Sequence, residues 1–224
     1  MSIQINNTKH LQNTGVKVLV YGAAGSGKTT LVSSAPTPIV LSAEAGLLSL
    51  RDYEIPYIEI RNMDDLAEAY HWAAESEEAS QFQTVCLDSI SEIAEVILAT
   101  EKRKTKDPRQ AYGVMQDTIQ DYVRKFRDLF GKHVYVSAKL EKVQDEMGRV
   151  MYGPSMPGTK TGQLIPYFFD EVLAMRIEHN ENNDTVRMLQ CEGDGAWLAK
   201  DRSGKLGKWQ EPDLSAVIGA ILNG

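Results

Sequence analysis

Short apolar runs alternate with stretches of helical spacing through the first 140 positions of this chain. The runs at 16–21, 38–42, 57–60, 84–88 and 133–137 are four to six residues long and rich in Val and Ile, which predicts strands. Between them, 64–78 places Leu66, Ala69, Tyr70 and Ala73 on one helical face. A second helix is predicted from Ser89, as N-cap, to about Lys102, with Ile90, Ile93, Ala94 and Ile97 inward. A third, over 109–130, repeats Met115, Ile119, Tyr122, Val123, Phe126 and Leu129 at threes and fours, and Gly131 ends it. Beyond 140 the pattern changes. Residues 141–152 predict an irregular arm or hairpin turning near Met147 and Gly148, and 153–162, with two Pro and three Gly, predict a long loop leading to a short helix at 163–168. Strands follow at 171–177 and 186–191 around a turn at 182–184, then a short piece at 197–199 and a helix at 214–222 capped by Asp213. The expected fold is therefore α/β: a mostly parallel sheet with helices on both faces and antiparallel strands added at the C-terminal end. One domain is expected over 15–224, preceded by an arm at 1–14.

The chain has 224 residues, 42% of them hydrophobic, and a formal charge of −7. That suits one soluble α/β core and argues against a polyanion binder held by bulk charge. No apolar stretch approaches the roughly 20 residues of a membrane helix, and residues 1–15 lack the layout of a signal peptide, so no membrane partner and a cytoplasmic location are expected. Cys86 and Cys191 each fall inside a predicted strand and read as small buried hydrophobes. Two stretches are locally basic: 101–109 carries five Lys/Arg against Glu101 and Asp107, and 199–208 carries four against Asp201. Taken alone, the first reads as a solvated face.

The strongest chemical signal follows the first strand. Gly22-Ala23-Ala24-Gly25-Ser26-Gly27-Lys28-Thr29 fits the phosphate-binding pattern G-x-x-x-x-G-K-[ST] between a strand and a predicted helix opening near Thr29-Thr30. Its glycines let successive N–H groups turn inward as an anion nest, and the helix start faces the same phosphates. Lys28 is expected to bridge the β- and γ-phosphates, and Thr29 to offer its hydroxyl to Mg²⁺. ATP and Mg²⁺ are the expected cofactors. Such a site needs a second strand ending in an acid that holds the metal through water, and Asp88 closes the run Thr84-Val85-Cys86-Leu87. Ser89 follows it, so the carboxylate that orients the attacking water must come from elsewhere. Glu44, closing the strand after the P-loop and flanked by Ala43, Ala45 and Gly46, is the candidate; Glu92 stands behind it as the alternative acid.

Over 18–90 this layout resembles the RecA-like ATPases, with Leu41-Ser42-Ala43-Glu44-Ala45 and Val85-Cys86-Leu87-Asp88-Ser89 as the telling pieces. The resemblance implies a γ-phosphate sensor at the end of the next strand, where Ser137 and Lys139 are both candidates. It also implies a single-strand DNA loop within 152–162, with Arg149 and Lys160 on phosphates and Tyr152 or Met156 against bases. Lys200-Asp201-Arg202-Ser203-Gly204 resembles the Lys-x-Arg tail that RecA-like ring ATPases insert into a neighbour's site, which implies a finger in trans and a homo-oligomer, ring or filament. From about 15 to 212 the chain is similar to the phage Sak-type single-strand annealing ATPases, among the AAA-type phage nucleotide-binding proteins. That resemblance implies a DNA-stimulated ATPase of phage recombination in the host cytoplasm, acting on single-stranded DNA with a single-strand-binding protein as partner. The alternatives are a nucleotide-gated loader or interaction protein for a helicase or single-strand-binding protein and, least favoured, a small-molecule kinase, whose Arg-bearing lid has only 102–109 to supply it.

Overall fold

The computed structural model describes residues 15–44, 46–144, 147–180 and 182–223, with only the backbone of Thr159 and Lys160. The 1–14 arm lies outside the described residues. Strand β1, Lys17–Gly22, is buried along its whole length, as befits a parallel strand covered on both faces. After it come α1 (Lys28–Leu31), β2 (Pro38–Ser42), β3 (Tyr57–Glu59), α2 (Met63–Glu75), β4 (Thr84–Asp88), α3 (Ile90–Lys104), α4 (Pro108–Arg127) and β5 (His133–Gln144). The remainder is β6 (Val150–Ser155), α5 (Thr159–Leu164), β7 (Glu171–His179), β8 (Thr185–Gln190), β9 (Lys200–Asp201), β10 (Trp209–Gln210) and α6 (Leu214–Asn223).

One sheet runs in the order β10-β8-β7-β1-β5-β4-β2-β3. From β7 to β3 every pairing is parallel, whereas β8, β9 and β10 join antiparallel at the late end, as does β6 on β5. This is the RecA-like α/β layout expected, with β5 interposed between the P-loop strand and the strand of Asp88. The period of two sorts β1 between two cores. Leu19 and Tyr21 face α2, α3 and α4, and Val18 and Val20 face α1 and α6. Tyr21, fully buried, donates its hydroxyl to Leu198 O at 2.7 Å, with Tyr152 O at 3.1 Å, and so ties the sheet to the late chain.

Helix starts follow their caps. Asn62 accepts from Asp64 and Asp65 N, Ser89 from Glu92 N, Asp107 from Arg109 N ahead of Pro108, and Asp213 from Ala216 N. The basic end of α3, Lys102 to Lys104, meets the negative end of that helix. Both cysteines are buried, and burial pushes their thiols up.

The structure departs from the expected pattern in the 141–162 region. The arm is a regular hairpin, β5 pairing β6 from Lys139 opposite Ser155 to Gln144 opposite Val150. Gly153 and Pro154 belong to its outer strand, where Pro costs no ladder bond past the single bridge of Tyr152 with Trp197. The long loop shrinks to 156–158, and Met156 turns into the larger core, 6% exposed, which removes it from any base-stacking role.

Candidate functional site

The parallel strands end at one edge of the sheet. Register sets Gly22 on β1 against Lys139 on β5, and Ser42 on β2 against Asp88 on β4. After β1 the chain turns sharply: Gly25 at φ +72° and Gly27 at φ +107° occupy the left-handed region. At Gly22 a Cβ would fall 2.8 Å from Met175 O and from Ser26 Oγ. Ser26 acts on the loop's shape. Its N–H goes to Ala23 O at 3.2 Å, and its buried hydroxyl faces inward without a partner. Gly22, Ala23, Ala24, Gly25, Gly27, Lys28, Thr29 and Thr30 line a cavity of about 980 Å³, together with Glu44, Asp88 and Lys139. That volume suits a nucleoside triphosphate.

Helix α1 is only four residues long and passes into a 3₁₀ turn at Val32–Ser34, shorter than the pattern suggests. Ser33 and Ser34 bond back to Thr30 O and Leu31 O at 2.8 and 2.7 Å, and Ala35, preceding Pro36, is extended. The first-turn N–H groups, which have no intrahelical acceptor, are therefore what the helix brings to the cavity. Tyr135 anchors this turn from β5 by donating to Lys28 O at 2.8 Å.

Thr29 Oγ1 donates to Asp88 Oδ2 at 2.7 Å, and Ser137 Oγ donates to Asp88 Oδ1. Among the described residues no group of three or more His, Cys, Asp or Glu could hold a metal. One hydroxyl beside one carboxylate matches Mg²⁺, which takes few protein ligands and keeps waters. Lys28 Nζ donates to Gly22 O at 2.8 Å and Ala23 O at 2.9 Å, at the mouth of the nest. Burial lowers its pKa, while Asp88 and Glu44 pull it back up. Glu44 Oε1 accepts from Ser89 Oγ, and Ser42 Oγ donates to Glu44 O at 2.7 Å, so the carboxylate is steered from the strand that carries Asp88.

Of the two sensor candidates, Ser137 is fully buried on Asp88, and Lys139 lines the cavity with its ammonium paired to Glu92, a bond that raises its pKa. Glu92 is thereby held on Lys139 and does not line the cavity. Arg149 lies near the hairpin turn, and Tyr152 stacks on Trp197 at 4.3 Å, with Arg176 4.3 Å over the Trp197 ring. Lys160 falls in α5, its side chain outside the described residues.

Lys200 and Arg202 lie toward the opposite edge of the sheet. β9 pairs the start of β7, where Asp201 meets Glu171, four residues before the level of Gly22, or roughly 13 Å along the strand. Lys200 Nζ donates to Pro166 O at 2.9 Å and to Phe169 O, and Arg202 pairs with Asp170 at 2.8 Å. Burial and Arg202 lower the Lys200 pKa.

Two residues tied to the cavity escape a reading of the sequence. Ser89, read as a helix cap and as part of the Asp88-Ser89 pair, bonds the Glu44 carboxylate, and Arg187, unremarked within the expected strand at 186–191, lines the cavity. No local signal marks either, since both act on residues far away in the chain. No helix among the described residues is long and apolar enough to cross a membrane.

A family model described as "AAA domain" matches residues 14–203. Among solved structures the chain is similar to a KaiC-like protein from the hyperthermophilic archaeon Pyrococcus horikoshii OT3, at 14% identity and a TM-score of 0.43, over 79% of this chain and 78% of that one. No curated protein matches.

Proposed function

The chain belongs to the AAA domain family and is a nucleotide-binding P-loop NTPase of RecA-like build, and from that premise we propose that it hydrolyses ATP with Mg²⁺ while acting on single-stranded DNA in phage recombination. The observation that carries the ATPase reading is one cavity walled by the P-loop, by Thr29 bonded to Asp88, and by a Glu44 carboxylate steered by Ser89. Mg²⁺ bound with the nucleotide would spread the charge of the γ-phosphoryl group. The chain supplies the rest. Lys28 would face the β- and γ-phosphates, Thr29 and Asp88 would hold the metal, Ser137 orients Asp88, and Glu44 would align the attacking water and take its proton.

The DNA reading is supported by continuity along one strand. Lys139 lines the cavity and begins the hairpin whose turn carries Arg149 and whose outer strand carries Tyr152, so a change at the γ-phosphate reaches the hairpin through β5 without a hinge. The same reading assigns Arg202, exposed on the opposite edge, to a neighbouring subunit's site in a homo-oligomer. A single-strand-binding protein is the proposed further partner, and the host cytoplasm the proposed location.

The test is ATP turnover measured alone, with single-stranded DNA, and with a panel of small phosphate acceptors. Stimulation by DNA alone supports the proposal. Turnover indifferent to DNA favours a nucleotide-gated interaction protein, and phosphate appearing on an acceptor makes it a kinase.

A further inference from the structure

The sheet order gives the cavity two unlike walls. Asp88 and Glu44 come from the ends of β4 and β2, and Lys139 from the middle of β5, on one side of the P-loop strand; Met175 and Arg187 come from β7 and β8 on the other. Register explains how Arg187 arrives there. Gly22, the last residue of β1, lies opposite Met175, and β7 runs on to Ile177, which pairs with Arg187. Arg187 is thus level with the P-loop itself. Its Nε donates to Ser26 O at 3.1 Å, and its Cδ lies 3.3 Å from where a Cβ on Gly27 would sit. Among the described residues no carboxylate pairs with this guanidinium, whereas Lys139 is paired with Glu92, Arg176 with Glu178 and Arg202 with Asp170.

We propose that Arg187 is a phosphate clamp supplied in cis, which binds the α-phosphate of the nucleotide on the side of the site away from the hydrolytic acids. The proposal rests on the P-loop reading of the same cavity. A γ-phosphate that meets Thr29, Asp88 and Glu44 sends the rest of the nucleotide toward the β7–β8 wall, so the α-phosphate and ribose arrive at Met175 and Arg187. With Nε held on Ser26 O, the guanidinium plane is fixed and its two Nη nitrogens remain as donors, a rigid fork suited to non-bridging phosphate oxygens. Gly27 keeps the stem's approach open: a Cβ there would sit 3.3 Å from the Arg187 Cδ, and at φ +107° any side chain would be strained besides. A clamp of this kind acts on ADP as strongly as on ATP, because both carry the α-phosphate. A finger on the γ-phosphate does not.

The experiment is titration of a fluorescent ADP analogue and of ATP, with Mg²⁺, against the wild-type chain and three variants, alongside steady-state ATP turnover. For Arg187→Ala, Kd for both nucleotides is expected to rise roughly ten- to a hundredfold, the range for a lost charge-assisted hydrogen bond, and the loss is expected to fall on KM more than on kcat. Arg187→Gln keeps a donor for Ser26 O but no charge, so it should bind as weakly as the Ala variant, and Arg187→Lys should lie between. Unchanged ADP affinity in Arg187→Ala overturns the proposal, as does full recovery in Arg187→Gln, which would reduce the residue to a brace for the loop. A fall in kcat with ADP affinity intact overturns it in favour of a γ-phosphate finger. A wild-type chain that binds neither nucleotide overturns the P-loop reading itself and the clamp with it.

Discussion

Replacing Glu44 with Gln removes one negative charge and one proton acceptor from the cavity and leaves every other wall in place. The carboxylate is half-buried, accepts from Ser89 Oγ, and stands across the cavity from the P-loop. An amide there still accepts from Ser89 through its oxygen but cannot take a proton from water. General-base assistance is worth roughly 10²- to 10⁴-fold in rate, so kcat should fall by that factor while ATP and ADP affinities stay within a few-fold of wild type. Ser89→Ala gives the second half of the argument. It keeps the acid and removes the bond that aims it, a charge-assisted contact worth about 1.5–3 kcal/mol at most, along with the Ser89 cap of α3, which bears on stability and not on the acid. Its kcat should therefore drop by no more than about ten- to a hundredfold, less than that of the Gln variant. Because the two residues act as a unit, the double variant should be little slower than Glu44→Gln alone. Single-turnover hydrolysis at saturating ATP, with affinities measured separately, reads all three. Wild-type rates in Glu44→Gln would refute the assignment, and multiplicative losses in the double variant would show that Ser89 acts elsewhere, for example as the α3 cap.

Lys28→Ala should abolish triphosphate binding in a direct titration, because the nest alone leaves the β- and γ-phosphate charge uncompensated; retained affinity would remove the P-loop assignment. Mixing Lys28→Ala protein with Arg202→Ala protein should restore part of the ATPase activity, since one interface of a mixed oligomer pairs an intact P-loop with an intact finger; a mixture that stays inactive would return Arg202 to a surface pair with Asp170. Stability should pass through a minimum near pH 8. The Glu171 carboxyl is pushed up to about 8 by burial and by Asp201 beside it, from an ordinary 4.5, so the stability its proton contributes is complete below pH 4.5 and lost as pH rises through about 8. Lys17, buried on the carbonyls of Leu129 and Lys132, is pulled down to about 8 from 10.5, so stability climbs again between those values, where only the unfolded chain holds the proton. Thermal melts from pH 5 to 10 should show the falling limb flattened in Glu171→Gln; an unchanged limb would rule that carboxyl out as its source.

Local chemistry carried the P-loop, the carboxyl ends of β2 and β4, and most helix starts, because each depends on residues within a few positions of one another. Gly25 and Gly27 are needed for a backbone conformation, Asp88 and Glu44 stand where apolar runs stop, and Ser89 and Asp213 read as caps and are caps; Asn62 and Asp107, which cap α2 and α4, go unread. The hairpin was half legible: its turn near Gly148 was marked, but Gly153 and Pro154 read as loop because composition does not reveal that an outer strand tolerates a missing donor. The order of strands lay outside any local pattern. Only the interposition of β5 between β1 and β4 sets Ser137 on Asp88 and Lys139 on Glu92, and only the antiparallel return of β8 carries Arg187 across to Ser26, 161 positions earlier. Contacts of that kind are created by sheet register, which packing of the sheet as a whole decides at once, so the residues that aim the site's chemistry stay silent until the chain is packed.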